Sequence, residues 1–417
     1  MKEIKRDGYL NMLISRRRNG MIKVITGIRR CGKTYLLFRL YRNWLLGQGI
    51  DRDHIIEIPL DDDDFEDLRD RKALRQFIKD AVKDDEVYYV LLDEVQFCEG
   101  FEGVLNGLAR KENLDLYVTG SNSRFLSSDV LTEFRGRGDE IRVYPLSFSE
   151  FAAAYDGTKE EAWSEYMMYG GMPQILSYDT DADKSKYLKD LFSKTYLKDV
   201  LERNQLKSDT VMEEVVNVLA SSVGSLTNPN KMANTFVSEG VKTNDKTVSS
   251  YVDHLMDAFI IEKVERYDVK GRKYIGTPLK YYFADIGLRN ARLNFRQQEP
   301  THLMENIIYN ELLVRRYNVD VGVVTRYQRD ETGKQIVTKL EIDFVCNLGH
   351  QRYYIQSAYS LPDAEKMAQE TASLDRVDDS YKKIIVVGDP TKPWHTEKGY
   401  LVMNIIDFLL DQDSLNR

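Results

Sequence analysis

One short segment, residues 27–34, restricts the fold of this chain more than any other part of its sequence. It has glycine at its first and sixth positions, followed by lysine and threonine, which is the spacing G-x-x-x-x-G-K-[ST] of a phosphate-binding loop, or P-loop. An apolar run over residues 21–26 precedes the segment, and an apolar stripe with helical spacing over residues 33–46 follows it. Because a P-loop connects a strand to a helix, these patterns together predict an α/β domain.

Three further apolar runs, residues 54–58, 87–92 and 114–119, are typical of buried strands. Strands that alternate with helices indicate βαβ crossovers and a parallel sheet. We therefore predict an α/β fold with a P-loop NTPase parallel sheet and helices on both of its faces.

The predicted loop has the chemistry that a nucleoside triphosphate requires. Its glycines let several backbone N–H groups point inward, and the helix that follows adds its positive N-terminal end. Lys33 is predicted to bind the β- and γ-phosphates, and the Thr34 hydroxyl is predicted to hold Mg²⁺. The predicted nucleotide-binding residues are Gly27, Ile28, Arg29, Arg30, Cys31, Gly32, Lys33, Thr34 and Tyr35.

Acidic and polar residues follow two of the predicted strands. Asp93 and Glu94 end the run 87–92, and a carboxylate there lies beside the P-loop in an open α/β sheet. We expect Asp93 to hold Mg²⁺ and Glu94 to polarise the attacking water. Ser121 and Asn122 follow the run 114–119, where they either contact the γ-phosphate or form an ordinary polar turn.

Arg137 lies in a glycine- and arginine-rich loop further along the chain. A guanidinium in such a loop can stabilise charge on a transferring phosphoryl group, in its own chain or in a neighbour. The alternative interpretation is a solvated surface charge.

Composition limits the class of protein. The chain has 417 residues, enough for two to three domains, with 42% apolar and 30% charged residues, as in globular proteins. Its net charge of −8 excludes a uniformly basic nucleic-acid coat protein. Three scattered cysteines fit a reducing cytoplasm, and no run approaches a membrane span, so a cytoplasmic protein without membrane partners is expected.

The order of these motifs resembles that of the prokaryotic AAA-type ATPases that carry a C-terminal domain of unknown function. The residues that carry the resemblance are Thr26–Thr34, Leu92–Gln96, Thr119–Ser123, Gly136-Arg137, Tyr144–Phe151, Gly170–Pro173, Glu305-Asn306 and Glu341–Phe344. The resemblance implies an AAA-type ATPase that uses ATP with Mg²⁺, a sensor at Ser121 or Asn122, and an arginine finger at Arg137.

The resemblance also implies a domain order. We expect an AAA-type P-loop domain over residues 1–150 and a helical lid or connector over 151–208. A winged-helix-like domain is expected over 209–295, and a PD-(D/E)xK nuclease-like domain over 296–417.

The nuclease-like domain is predicted to lack nuclease activity. Glu305 and Asp343 match the first two metal-binding positions of such nucleases, but Gln356 and Ala358 stand where the second carboxylate and the lysine belong. A neutral amide is a weaker ligand for a hard divalent cation, and no lysine remains to orient the water.

The middle region carries a possible nucleic-acid surface. Its predicted hairpin, residues 263–280, holds six basic and two acidic residues, a local charge of +4. Such a patch can bind the phosphate backbone of DNA or RNA, whereas the alternatives are contact with a protein partner or a solvated hairpin.

The favoured function is therefore an ATPase whose nucleotide state controls a C-terminal module that binds nucleic acid or protein, with a homo-oligomer as a possible assembly. The alternative is an ATP-binding interaction or DNA-binding protein with negligible turnover. Glu94 distinguishes them, because only hydrolysis requires an activated water.

Overall fold

The computed structural model describes residues 3–120, 134, 136–204, 206, 210–329 and 333–417. The chain divides into two compact units, residues 1–145 with 257–259, and residues 146–256 with 260–417. No helix among these described residues is long and apolar enough to cross a membrane.

The first unit contains a five-stranded sheet in which every neighbouring pair is parallel. Its strands are β1 (Ile22–Thr26), β2 (Ile55–Pro59), β3 (Tyr88–Asp93), β4 (Leu114–Thr119) and β5 (Gly138–Arg142). The order across the sheet is β2-β3-β4-β1-β5. All residues of β1 and β3 are buried, which explains why these strands appear in the sequence as unbroken apolar runs.

Helices cover both faces of this sheet. They are α1 (Asp7–Ser15), α2 (Lys33–Tyr35, continued by a π-helical turn Leu36–Tyr41 and by Arg42–Gly47), α3 (Arg71–Ala81) and α4 (Phe101–Leu108). On β4, Leu116 packs in the same core as Leu74 of α3, whereas the Tyr117 ring lies 4.6 Å from that of Tyr41 in α2. Successive strand residues point to opposite faces, so α3 and α2 lie on opposite sides. The predicted α/β fold class is confirmed.

The second unit begins with helices. They are α5 (Phe148–Ala154), α6 (Lys159–Tyr169), α7 (Asp181–Asp190, continued by a π-helical turn Leu191–Leu197 and by Lys198–Arg203), α8 (Thr210–Ser221), α9 (Pro229–Ser238), α10 (Asp245–Asp257), α11 (Ile286–Arg292), α12 (Pro300–Val314), α13 (Ala364–Thr371) and α14 (Ile405–Leu410). The last residue of α10 belongs to the first unit.

An eight-stranded mixed sheet forms the rest of the second unit. Its strands are β6 (Ile261–Asp268), β7 (Lys273–Phe283), β8 (Asn318–Arg329), β9 (Gln335–Leu348), β10 (Gln351–Ala358), β11 (Lys382–Val387), β12 (Trp394–His395) and β13 (Leu401–Asn404). They lie in the order β12-β13-β11-β10-β9-β8-β6-β7. The hairpin β6–β7 joins this sheet because β6 pairs in parallel with β8, from Arg266 opposite Val321 to Asp268 opposite Val323.

The hairpin is thus continuous with the strands that follow it. The predicted divisions at residues 208/209 and 295/296 both fall inside the second unit and remain predictions. The strand β7 has 11 residues, and its first half is polar and largely exposed.

The end of α6, at Gly170 and Gly171, packs closely against the start of α11. Gly287 in α11 leaves no room for a side chain, since an added Cβ would lie 1.9 Å from the Tyr169 carbonyl oxygen. Asp285 accepts hydrogen bonds from the backbone N–H of Gly171 at 2.7 Å and of Leu288 at 3.0 Å. Burial raises the pKa of the Asp285 carboxyl to about 6. Small residues are therefore needed here for contact as well as to end α6.

Candidate nucleotide-binding site

The loop between β1 and α2 has the backbone that the P-loop spacing predicts. Gly27 has a φ of +136°, and an added Cβ would lie 2.0 Å from the carbonyl oxygen of Val143. Gly32 has a φ of +103° at the start of α2. Both positions require glycine, because side chains rarely adopt these backbone angles. Ile28 and Cys31 are buried, so these two residues offer a ligand their backbone groups rather than their side chains.

A buried arginine outside the motif holds the loop in place. Arg6, just before α1, donates one hydrogen bond to the Cys31 carbonyl at 3.0 Å and another to the Tyr144 carbonyl at 2.8 Å. The Cys31 thiol donates to the Val143 carbonyl at 3.4 Å. The sequence motif gives no indication of Arg6, because its partners are backbone carbonyls that only the fold brings together.

The ammonium group of Lys33 points back into the loop. Its Nζ donates to the carbonyl oxygens of Gly27 at 3.0 Å and Ile28 at 3.2 Å, and the residue is only 4% exposed. A phosphate oxygen would be a stronger, charged acceptor for the same donor. Lys33 thus lies where a triphosphate bound in the loop would meet it.

Two hydroxyls converge on the carboxylate that ends β3. Thr34 Oγ1 donates to Asp93 Oδ2 at 2.7 Å, and Thr119 Oγ1, at the end of β4, donates to Asp93 Oδ1. Burial raises the pKa of Asp93, which means that its charged form has lost hydration. A carboxylate and a hydroxyl are the hard oxygen donors that Mg²⁺ prefers, so these residues fit the ion. Thr119 is a further residue of the site that the sequence did not single out.

Glu94 follows directly on Asp93 and has a fixed conformation. Its φ of +49° is uncommon for a residue with a side chain. Its backbone N–H donates to Thr119 Oγ1 at 3.0 Å, and its carboxylate accepts a hydrogen bond from Gln96. The turn places Glu94 at the carboxyl ends of the strands, where the P-loop also lies.

Arg137 lies at the amino ends of the strands, opposite the end that carries the P-loop. Its carbonyl oxygen accepts a hydrogen bond of 2.7 Å from the N–H of Ile22, the first residue of β1, whereas the P-loop follows the last residue of β1, Thr26. The length of β1 is about 13 Å, more than an arginine side chain spans. The structure therefore does not bring Arg137 to the nucleotide site of its own chain. Arg29 and Arg30 are exposed, and Tyr35 is partly buried.

The remaining predicted residues of this site, Ser121 and Asn122, lie outside the described part of the chain.

The second unit holds the predicted nuclease-like residues around an unexpected cation. Glu305 on α12 and Asp343 on β9 are buried, and between them lies the side chain of Lys280 from β7. Lys280 Nζ is 2.7 Å from Glu305 Oε1, 2.6 Å from Glu341 Oε1 and 3.9 Å from Asp343 Oδ1. Within the described residues, no group of three or more His, Cys, Asp or Glu side chains is arranged to hold a metal ion.

Lys280 changes the predicted nucleic-acid patch as well. The count of +4 for the hairpin included Lys280 and Arg266, but the structure buries both. The exposed basic residues are Lys263, Lys270, Arg272 and Lys273, and Lys270 forms an ion pair of 3.0 Å with Asp378. The surface charge of the hairpin is therefore smaller than the sequence indicates.

Comparison with known proteins agrees with the geometry of the first unit. Residues 19–152 match the family described as "AAA domain", and residues 160–299 match a domain of unknown function. An uncharacterized protein of Haemophilus influenzae is 34% identical over 98% of this chain and 98% of its own length. The chain belongs to the family of this protein. An uncharacterized protein of Methanocaldococcus jannaschii is 25% identical over 93% of this chain and 86% of its own length.

Solved structures that align with this chain are more distant. The Aeropyrum pernix ORC1 protein, solved in complex with DNA, aligns with 70% of this chain and 93% of its own, at 11% identity and a TM-score of 0.32. A Vibrio cholerae protein aligns with 94% of this chain and 96% of its own, at 11% identity and a TM-score of 0.21. Likeness at this level carries no functional argument.

Proposed function

We propose that this protein is a Mg²⁺-dependent ATPase of the AAA type. The observation that carries the proposal is the hydrogen bond between Thr34 and Asp93, which joins the P-loop to the end of β3. A hydroxyl and a carboxylate held together beside an inward-pointing lysine form the arrangement that binds a nucleoside triphosphate with Mg²⁺. The resemblance to AAA-type ATPases is the reason to choose adenine as the base.

Each residue of the site has a distinct role in this proposal. Lys33 exchanges two neutral carbonyl acceptors for charged phosphate oxygens, so it binds the triphosphate more strongly than it binds the empty loop. Thr34 and Asp93 would hold Mg²⁺, which when bound withdraws charge from the phosphates. Thr119 orients the Asp93 carboxylate and also accepts the N–H of Glu94, so it couples the two acids.

Glu94 would activate the attacking water. A general base must keep its carboxylate charged and directed at the water, and the hydrogen bond from Gln96 limits the rotation of this side chain. The alternative is that ATP is a structural ligand with negligible turnover and that the second unit is the functional surface. The position of Glu94 beside the P-loop, held by its hydrogen bond with Gln96, favours hydrolysis over this alternative.

Nucleotide state would control what the second unit binds. Loss of the γ-phosphate releases groups that it held, and such a change can reorder neighbouring segments. The target is a nucleic acid or a protein, and the exposed Lys263, Lys270, Arg272 and Lys273 support a nucleic acid. The nuclease-like interpretation of the C-terminal strands is part of the same proposal, with no DNA cleavage expected.

A homo-oligomer is also part of the proposal. Arg137 is exposed and lies at the amino ends of the strands, whereas the P-loop lies at their carboxyl ends. It could therefore stabilise phosphate charge only in a neighbouring molecule. This role would make the active site complete only at an interface between two chains.

The test is ATP binding and steady-state hydrolysis by the full chain and by two variants. Lys33→Ala should lose affinity for ATP with Mg²⁺, because the loop then lacks its positive charge. Glu94→Gln should bind ATP normally but hydrolyse it about 100-fold more slowly, within the range that a general base contributes.

The two variants separate the alternatives. Tight ATP binding with the same low phosphate release in wild type and in Glu94→Gln would favour a structural ligand. Unchanged ATP affinity in Lys33→Ala would refute the nucleotide site itself.

A further inference from the structure

The carboxylate cluster in the second unit, which we define as Glu305, Glu341 and Asp343, already contains a cation. Lys280 is 3% exposed, and its ammonium lies within 3.9 Å of an oxygen from each of the three carboxylates. The contacts with Glu305 and Glu341, at 2.7 and 2.6 Å, are hydrogen-bonded ion-pair distances. A lysine is rarely buried unless its charge is paired, so these carboxylates are the partners of a charged ammonium.

The strand that carries Lys280 is built to direct it at this cluster. Lys280 and Tyr282 are two residues apart on β7, so their side chains leave the strand on the same face. Both bond to Glu305 Oε1, the lysine through its ammonium and the tyrosine through its hydroxyl. One carboxylate oxygen of Glu305 is thus fully engaged by β7.

The surroundings leave little freedom for a hydrated metal ion. An added Cβ on Gly224 would lie only 3.2 Å from Glu305 Oε2, so backbone closes on that side of the carboxylate. Asp343 Oδ2 accepts the backbone N–H of Ser357 at 2.8 Å. Mg²⁺ keeps several of its waters when it binds to proteins, and the contacts with Lys280 and Ser357 already take one oxygen of each carboxylate.

The other polar groups that face the cluster would not offset the positive charge of a second cation. His302 Nδ1 is 3.9 Å from Glu305 Oε2, and the amide nitrogen of Gln356 donates to Glu370 at 3.5 Å rather than to the cluster. A divalent ion placed beside the ammonium would be repelled strongly, because like charges interact with little screening in a protein interior.

We propose that Lys280 is the resident cation of this cluster, in the place that a divalent metal takes in a nuclease-like centre, and that the native protein therefore binds no divalent ion there. The proposal goes beyond the ATPase function and does not depend on it. It also differs from the prediction of inactivity drawn from Gln356 and Ala358, since it makes the cluster an ion-pair site that already holds its cation rather than a weakened metal site.

The proposal predicts that removal of Lys280 exchanges one cation for another. In Lys280→Ala the three carboxylates lose their counter-ion, and a divalent ion of similar position and greater charge can replace it. Mn²⁺ is the probe, because it accepts carboxylate and water ligands and its binding can be counted by electron paramagnetic resonance. Nucleotide-free full-length protein keeps the P-loop out of the measurement.

The experiment compares the thermal unfolding of four proteins with and without Mn²⁺. Wild type and Lys263→Ala, which removes an exposed lysine of the same hairpin, should show no change in Tm with Mn²⁺. Lys280→Ala should unfold about 10 °C lower than wild type, and Mn²⁺ should restore part of this loss. In Lys280→Ala/Asp343→Asn the restoration should disappear.

Two results would overturn the proposal. One is Mn²⁺ bound to nucleotide-free wild type at a site that Asp343→Asn removes, which needs no destabilised variant and would show that lysine and metal coexist. The other is a Lys280→Ala protein that Mn²⁺ neither stabilises nor helps to refold. Loss of ATP hydrolysis in any variant has no bearing on either result.

Discussion

Thr34 donates a hydrogen bond of 2.7 Å to Asp93, and this bond links the loop after β1 to the last residue of β3. The two strands are not neighbours in the sheet, because β4 lies between them. The bond therefore reaches across β4, whose own last residue, Thr119, donates to the same carboxylate. Residues at or just after the ends of β1, β3 and β4 therefore hold the Asp93 carboxylate in place.

The Thr34 hydroxyl should be needed for Mg²⁺-dependent turnover more than for folding. Thr34→Ala removes an exposed side chain, so the Tm should change little, but the rate of ATP hydrolysis should fall by roughly 10- to 100-fold, about 1.4–2.7 kcal/mol of transition-state stabilisation. Phosphate release at several Mg²⁺ concentrations measures the effect. Thr34→Ser keeps the hydroxyl and should retain most of the activity; equal losses in both variants would contradict the assigned role.

Arg137 should act on the nucleotide of a neighbouring chain. Arg137→Ala and Lys33→Ala should each lose ATP hydrolysis when pure, but a mixture of the two should regain part of it. In the mixture, a chain with an intact P-loop can meet a neighbour with an intact Arg137. The measurement is the ATPase rate of the mixture against the sum of the separate rates.

A second mixture controls for this result. Lys33→Ala and Glu94→Gln both damage the nucleotide site of their own chain, so no combination of them restores a complete site. No gain in the first mixture, or an equal gain in both, would exclude Arg137 as a residue supplied by the neighbour.

Asp285 should make folding stability fall as the pH rises. Its pKa is about 6 in the folded chain against an ordinary value of 3.8, so between these values the folded state keeps a proton that the unfolded state releases. The contribution of Asp285 to the free energy of unfolding therefore decreases from pH 4 to pH 6, by about 3 kcal/mol at most.

Urea unfolding of wild type and Asp285→Asn across this pH range isolates the effect. The difference between the two curves removes the other carboxyl groups, which titrate in both proteins. Asp285→Asn should be less stable at the acidic end, since its amide cannot accept both backbone N–H groups. Parallel curves would show that the Asp285 carboxyl does not carry a raised pKa.

The residues of the proposed nucleotide site can be predicted from the sequence because their signals are local. The glycines, Lys33 and Thr34 are fixed by the geometry of one loop, and Asp93 ends a strand that is fully buried. The hydrogen bonds of Arg6 and Thr119 depend instead on partners more than 20 residues away, so the segment around each residue does not reveal them.

Lys280 shows the same limit more sharply. In the sequence it is one of six basic residues in a hairpin, and charge there is usually solvated. Its burial is decided by Glu305 on α12 and Glu341 on β9, which arrive 25 and 61 residues later. The contacts of Lys280 with these carboxylates can therefore be recognised only in the folded structure.

The parallel pairing of β6 with β8 determines where this chain can be cut. A recombinant fragment that starts at residue 296 would lose the hairpin, and β8 would then present unpaired N–H and C=O groups along one side. Such a fragment would also leave Glu305 without Lys280. A soluble version of the C-terminal half should therefore begin near residue 146, where the second unit itself starts.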